Sequence, residues 1–187
     1  GSRNSQGGEM ATRHLLSLGR SRIAFLGGTG DDCPEFQQRY QGYCQALRSA
    51  GLKVRQRLQR DADNQETSGI EAMSRLLESG EPFDAVFAAS DLIAIGAMKR
   101  LHKAGIGIPD QVSVVGFDDI PAASYFTPAL TTVRQDTRRA ARAQLTSSWI
   151  RSARPGPTRA RPSSWAWGWA APSRRPPTWP STRSCVK

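Results

Sequence analysis

The 187-residue chain predicts an α/β fold, a doubly wound and mostly parallel sheet with helices on both faces, on three observations. Short apolar runs alternate with helical stripes in the order βαβαβαβ, and short connections in that order require parallel strands joined by right-handed crossovers. The helical stripes end at Gly19, Gly51, Gly80 and Gly105, the residue that most readily takes the left-handed turn closing a helix. The strands end in polar residues, Ala89-Ser90-Asp91 and Phe117-Asp118-Asp119 above all, so polar groups collect along one edge of the sheet. In open α/β sheets the crevice beyond the carboxyl ends of the strands is where small molecules bind.

The elements follow in order. Met10, His14, Leu15 and Leu18 recur at helical spacing over residues 7–18, ahead of any strand. Residues 22–27 are a short apolar strand, and residues 34–50 a helix with Phe36, Tyr40, Tyr43 and Leu47 along one stripe. Val54 to Leu58 is rich in Arg and Gln and predicts a weak strand at a sheet edge. Thr67 or Ser68 is placed to cap a helix whose stripe is Ile70, Met73, Leu76 and Leu77. Residues 85–89 read as a buried strand, Ser90 or Asp91 as the cap of a helix through Lys103, and residues 112–117 and 130–133 as the last strands.

Charge divides the chain. Residues 1–136 carry 15 Lys/Arg against 16 Asp/Glu, which is ordinary for a globular domain, whereas residues 137–187 carry 11 Lys/Arg and no acid. The net charge of +10 therefore belongs to the end of the chain, which also holds all five Trp and seven of the twelve Pro. Cys33, Cys44 and Cys185 show no CxxC spacing, and His14 and His102 stand alone, a pattern that predicts neither a metal site nor a disulfide framework and suits a reducing cytoplasm. No apolar run approaches the roughly 20 residues needed to cross a bilayer, and the opening residues lack the basic-then-apolar pattern of a secretory signal. The expectation is a cytoplasmic protein without membrane contact.

The residues that carry chemistry run in order as Gly7-Gly8 with Ala11 to Leu15, Ile23 to Gly28, Arg39 with Gly42-Tyr43, Ala89-Ser90-Asp91 with Ala94 to Ala97, Val112 to Asp119, and Leu130 to Val133 with Gln135-Asp136. Collinear over residues 4 to about 143, this series resembles the effector-binding core of the lactose/galactose-repressor (LacI/GalR) family of bacterial transcription regulators. That core has the type I periplasmic-binding-protein fold. The resemblance implies residues 1–19 as the last helix of a truncated N-terminal lobe, residues 20–136 as the C-terminal lobe, and a DNA-reading helix-turn-helix absent from this chain. It implies as partners a small-molecule effector, a sugar or related metabolite, and operator DNA, with a homodimer built on Ile93, Met98, Tyr125 and Phe126. No cofactor and no catalysis are implied.

For the effector, the resemblance places Arg39 as a clamp, since a guanidinium presents a fixed fork of donors. Asp118 follows as a carboxylate accepting from ligand donors, with Phe117 beside it, and Ser90, Asp91 and Gln6 fall at further contact positions. Ser90 and Asp91 also open a helix, so an N-cap role is the simpler account for one of them. Where sugar-binding relatives supply an aromatic platform, this chain reads Asp61-Ala-Asp-Asn-Gln-Glu.

Other readings compete with this one. Gly27-Gly28-Thr29-Gly30 after a strand suggests a dinucleotide loop, but the third glycine is missing and Asp31-Asp32 repel phosphate. A periplasmic sugar-binding protein of a transport system would share the fold. Residues 137–187 form a basic Arg/Pro/Trp-rich tail where the resemblance stops. It has the composition of out-of-frame, non-native or disordered sequence, or, with indoles alternating over residues 164–170, of a single-strand nucleic-acid binder.

Overall fold

The computed structural model describes residues 2–126, 128–134 and 150–151, all within one compact unit, Gly1–Pro155. Four helices, α1 (Arg3–Ser17), α2 (Pro34–Ser49), α3 (Glu66–Ser79) and α4 (Asp91–Lys103), enclose a sheet of β1 (Ile23–Leu26), β2 (Gln59–Arg60), β3 (Ala85–Ala88), β4 (Ser113–Phe117), β5 (Thr131–Val133) and β6 (Ile150–Arg151). The strand order is β2-β1-β3-β4-β5-β6, parallel except for β6, which runs antiparallel to β5. The chain leaves β1 outward to β2 and then returns past it to β3, so the order reverses between β1 and β3. In open α/β sheets a reversal of this kind is where a crevice forms at the carboxyl edge.

Register determines what each face buries. Phe25 pairs with Phe87, and Val115 and Phe117 share their face with Val133, so the rings of Phe25, Phe87 and Phe117 form a row, packed edge-on and tilted, along the side covered by α1 and α2. Tyr43 closes this layer by donating its hydroxyl to the Ile23 carbonyl at 2.7 Å. Gly116 and Thr132 face the opposite side, under α4, which α3 flanks.

Within each layer the helices touch backbone to backbone. A Cβ on Gly8 would lie 2.2 Å from the Arg39 carbonyl oxygen and one on Gly42 2.0 Å from that of Ser5; Gly69 and Gly96 meet the Ile93 and Glu66 carbonyls at 2.3 and 2.1 Å. These reciprocal glycine pairs draw α1 onto α2 and α3 onto α4.

Several elements depart from expectation. The first helix begins at Arg3 instead of Gly7, with Ser2 accepting from the Ser5 amide as its cap, and it packs against α2, β4 and β5. Residues 56–58 form a 3₁₀ turn, so the edge strand shifts to Gln59–Arg60. The third helix starts at Glu66, and neither Thr67 nor Ser68 caps it. Ile150–Arg151, inside the stretch expected to be a separate tail, adds a strand to β5. The expectations for residues 137–149 and 152–187, and for Gln135 and Asp136, lie outside the described residues.

Ile93 and Met98 require a correction. Both are buried in the core, because α3 lies so close to α4 that the apolar residues on both flanks of α4 are covered. Of the four residues expected at a partner face, Tyr125 is 84% exposed and Phe126 is partly buried.

Candidate functional site

Arg39 lies in the second turn of α2, beneath the crevice at the carboxyl edge. It is 5% exposed and reaches three elements at once. Its Nε donates to Asn4 Oδ1 on α1 at 3.0 Å, Nη1 to the Ala89 carbonyl at the end of β3 at 2.6 Å, and Nη2 to Asp118 Oδ1 after β4 at 3.3 Å. The guanidinium sits 3.9 Å above the Phe117 ring and 5.6 Å from that of Phe36, within cation–π range. Burial lowers its pKa and the Asp118 carboxylate chiefly opposes that shift, so a charged group is retained in a low-dielectric setting where its hydrogen bonds are strongest.

Asp118 is the group of this cluster most open to solvent, its side chain 38% exposed. It and Asp119 have φ of 100° and 55°, two consecutive non-glycine residues in the left-handed region. Each costs on the order of 1–3 kcal/mol, and such residues persist where surrounding bonds over-determine them. Here the bonds are visible: Asp118 donates its amide to the Val133 carbonyl at 2.9 Å, Asp119 donates its amide to Thr132 Oγ1 at 3.2 Å, and Arg134 Nε donates to Asp119 Oδ2 at 2.8 Å.

Asp91 stands behind this turn at the first position of α4. It is buried, and it accepts from the Thr132 hydroxyl through Oδ1 at 2.7 Å and from the Ile120 amide through Oδ2 at 2.9 Å. Burial pushes its pKa up to about 6 against those two bonds, with Asp118 and Asp119 adding to the rise. Gly116 is needed beside it, because a Cβ there would lie 2.2 Å from Asp91 Oδ1.

The six expected contact residues thus separate. Arg39 and Asp118 meet. Phe117 is sealed from solvent and serves as the floor under the guanidinium. Ser90 is also buried, with its hydroxyl accepting from the Ile93 amide at 3.3 Å as the cap of α4. Asp91 is a support behind the turn. Gln6 is half-buried on α1, but Asn4 is the α1 residue that reaches Arg39. Residues two apart on a helix point to different sides, whereas Asn4 and Gly8, four apart, share the side facing α2.

Sequence reasoning misses Asn4, Thr132 and the Ala89 carbonyl. Thr132 does stand in the Leu130-Thr-Thr-Val133 run, yet its hydroxyl chemistry shows only once β5 lies beside α4. Among the described residues no group of His, Cys, Asp and Glu could hold a metal ion, and no helix is long and apolar enough to cross a membrane. The arrangement offers a buried donor fork and an exposed carboxylate at one crevice, which is suited to binding a polar, hydroxyl-bearing small molecule.

Compared with known proteins, residues 12–157 match the periplasmic binding protein-like domain family. The HTH-type transcriptional regulator AscG of Escherichia coli is 43% identical over 124 residues, which cover 66% of this chain and 37% of that protein. The HTH-type transcriptional regulator CelR of Thermobifida fusca is 40% identical over 134 residues, 72% of this chain and 39% of that one. The chain therefore spans about two fifths of the length of these curated relatives. Among solved structures, the E. coli repressor ascG superposes with a TM-score of 0.66 at 40% identity, covering 70% of this chain and 47% of that chain. A CelR–cellobiose complex gives 0.68 at 39% identity, covering 71% and 40%.

Proposed function

Because this chain belongs to the periplasmic binding protein-like domain family, in its LacI/GalR branch, we propose that it is the effector-binding part of a transcriptional regulator. It binds a small molecule of the sugar class at the Arg39–Asp118 crevice, and that binding controls operator recognition by a helix-turn-helix outside this chain. The observation that carries the proposal is the Arg39 guanidinium held from three elements with Asp118 at its open side. Sugar hydroxyls both donate and accept, so they pair with a carboxylate and a guanidinium together. The relatives are regulators, which favours this reading over a transport protein of the same fold, and the complex of CelR with cellobiose supports a carbohydrate as the class. The proposal assigns the chain no catalytic step and needs no cofactor or metal. The regulator so proposed acts in the cytoplasm as a homodimer.

The test is an NMR titration of the chain with cellobiose and with D-ribose, followed at Arg39 Nε and the Asp118 amide. Saturable shifts centred on those two signals are expected in the parent, with the shift at the residue 118 amide lost in both Arg39→Lys and Asp118→Asn. Flat signals with both sugars, or shifts that survive both substitutions, would refute the assignment. For the dimer, Tyr125 supplies the exposed ring, with Phe126 partly buried beside it. Tyr125→Asp should lower the hydrodynamic mass to that of a monomer, and an unchanged mass would remove this face from the interface.

A further inference from the structure

We propose that Asp91 is the positioning residue of this crevice: by accepting from the Thr132 hydroxyl and the Ile120 amide it holds the left-handed Asp118–Asp119 turn, and so sets the Asp118 carboxylate against Arg39. The inference rests on the effector-site reading of the crevice but concerns a residue whose two carboxylate oxygens are already taken up inside the fold, by the Thr132 hydroxyl and the Ile120 amide.

The turn leaves β4 and re-enters the chain at Ile120, and three anchors hold it. The Asp118 amide bonds the Val133 carbonyl, which fixes the start. The Asp119 amide bonds Thr132 Oγ1, and that same hydroxyl donates to Asp91 Oδ1. The Ile120 amide bonds Asp91 Oδ2, which fixes the exit. Two of the three anchors therefore end on one carboxylate. Gly116 gives that carboxylate its place, because any side chain there would fall on Oδ1. A residue needed only to cap α4 would not require this, since Ser90 already caps the helix through the Ile93 amide.

Ionised, Asp91 accepts on both oxygens. Protonated, one oxygen becomes a donor. The Ile120 amide can only donate, so that arm requires an acceptor, and the proton must go to the Thr132 side. There the hydroxyl would have to reverse its bond while still accepting from Asp119. The Thr132 arm is thus the one that changes, and it leads directly to the Asp118–Asp119 turn. Burial places the protonation of Asp91 near pH 6. The charged groups facing it are Asp118 and Asp119 from the turn and Arg39 from α2. Arg134, beyond β5, is engaged by Asp119; Glu66 of α3 is paired with Lys99; and His14 and His102 lie in the last turns of α1 and α4. Neither histidine is placed to account for a response at the carboxyl edge.

The experiment is a pH titration of the ligand-free full chain by NMR. It follows the Asp91 and Asp118 carboxyl carbons, the Asp119 and Ile120 amides, and Arg39 Nε. All five signals are expected to share a midpoint near 6. Thr132→Val, which removes a donor that favours the charged form, should move the shared midpoint upward. Asp91→Asn should abolish the step near 6 at Arg39. An Asp91 step with Arg39 Nε and the Asp118 carbon flat near pH 6 would overturn the proposal, as would a step at Arg39 that persists unchanged in Asp91→Asn. If the Asn variant does not fold, the direction of the Thr132→Val shift at Arg39 decides alone. No effector enters this experiment, so its failure leaves the sugar-binding reading standing, and a failed sugar titration leaves this inference standing.

Discussion

Replacing Arg39 by Lys keeps the charge and removes the fork, which isolates what the geometry contributes. A lysine ammonium is a single point on a flexible stem and cannot reach Asn4 Oδ1, the Ala89 carbonyl and Asp118 Oδ1 together, because these lie on three separate elements. If it keeps Asp118, the nearest opposite charge, the Ala89 carbonyl is left without its donor in the interior. An unsatisfied buried acceptor costs about 1–3 kcal/mol, and losing the partly exposed Asn4 bond about 1 kcal/mol more. Contact with the Phe117 face is retained in part. The expected loss is about 3 kcal/mol, or roughly 10 °C in Tm for a fold of this size. Asp118→Asn should cost much less, about 1 kcal/mol at most, because Asp118 is partly solvated and its ion pair is screened. Urea unfolding followed by far-UV circular dichroism measures both; tryptophan fluorescence is a poor probe, since all five Trp lie at or beyond residue 149. A Lys variant within about 1 kcal/mol of the parent, or one more stable than Asp118→Asn, would refute the three-element clamp as a structural tie.

Gly96→Ala should destabilise by about 1–3 kcal/mol despite the better helix propensity of Ala, because the new Cβ would lie 2.1 Å from the Glu66 carbonyl oxygen, and α3 must retreat. Gly28→Ala is the control, with nothing within 4 Å of its Cβ, and urea midpoints that place the two variants together would discount the close approach of α3 and α4. The raised pKa of Asp91 also has a signed consequence. The folded chain holds this proton more tightly than the unfolded one, so the stability it contributes is fully present below the ordinary carboxylate range and is lost as pH rises to about 6. Over about two pH units that amounts to roughly 3 kcal/mol at most. Asp91→Asn should therefore gain on the parent between pH 4.5 and 7, and parallel pH profiles for the two proteins would argue against a perturbed carboxyl.

Most of the fold is legible in the sequence because its signals are local. Gly19, Gly51, Gly80 and Gly105 all adopt the positive φ expected of helix ends, and the apolar runs form β1, β3, β4 and β5. The misplaced elements are those where local chemistry is weak or ambiguous. Gln59 and Arg60 are an edge strand with no apolar alternation, held by pairing with Phe25 and Leu26. In the sequence the helical stripe of α1 begins only at Met10, so the pattern places its start at Gly7, yet Gly7 sits against the Phe117 ring and Gly8 against Arg39, so their small size serves packing inside the helix. The candidate site is half legible for the same reason. Arg39 and Asp118 stand out by residue type and position, whereas Asn4, Thr132 and the Ala89 carbonyl become functional only through distance in three dimensions. The burial of Ile93 follows from its backbone contact with Gly69, which no periodicity in α4 alone reveals.

A carboxylate network that includes both an exposed member and a buried one couples proton and ligand, and the sign follows from the charges. Asp118 and Asp119 raise the pKa of Asp91 because a like charge nearby disfavours ionisation. A sugar hydroxyl that donates to Asp118 would draw off part of that charge and so lower the pKa of Asp91, releasing a fraction of a proton near pH 6. Linkage is reciprocal, so the same sugar must bind more tightly as pH rises through that range. The effect is bounded by what Asp118 contributes, which is smaller than the contribution of burial, so a change of a few-fold between pH 5 and 7 is the expected size, well under the roughly tenfold that one full pKa unit would give. Cellobiose affinities measured across that interval in the parent and in Asp91→Asn decide the point. Tightening with pH in the parent alone is the expected outcome, and equal slopes in the two proteins would place the proton elsewhere.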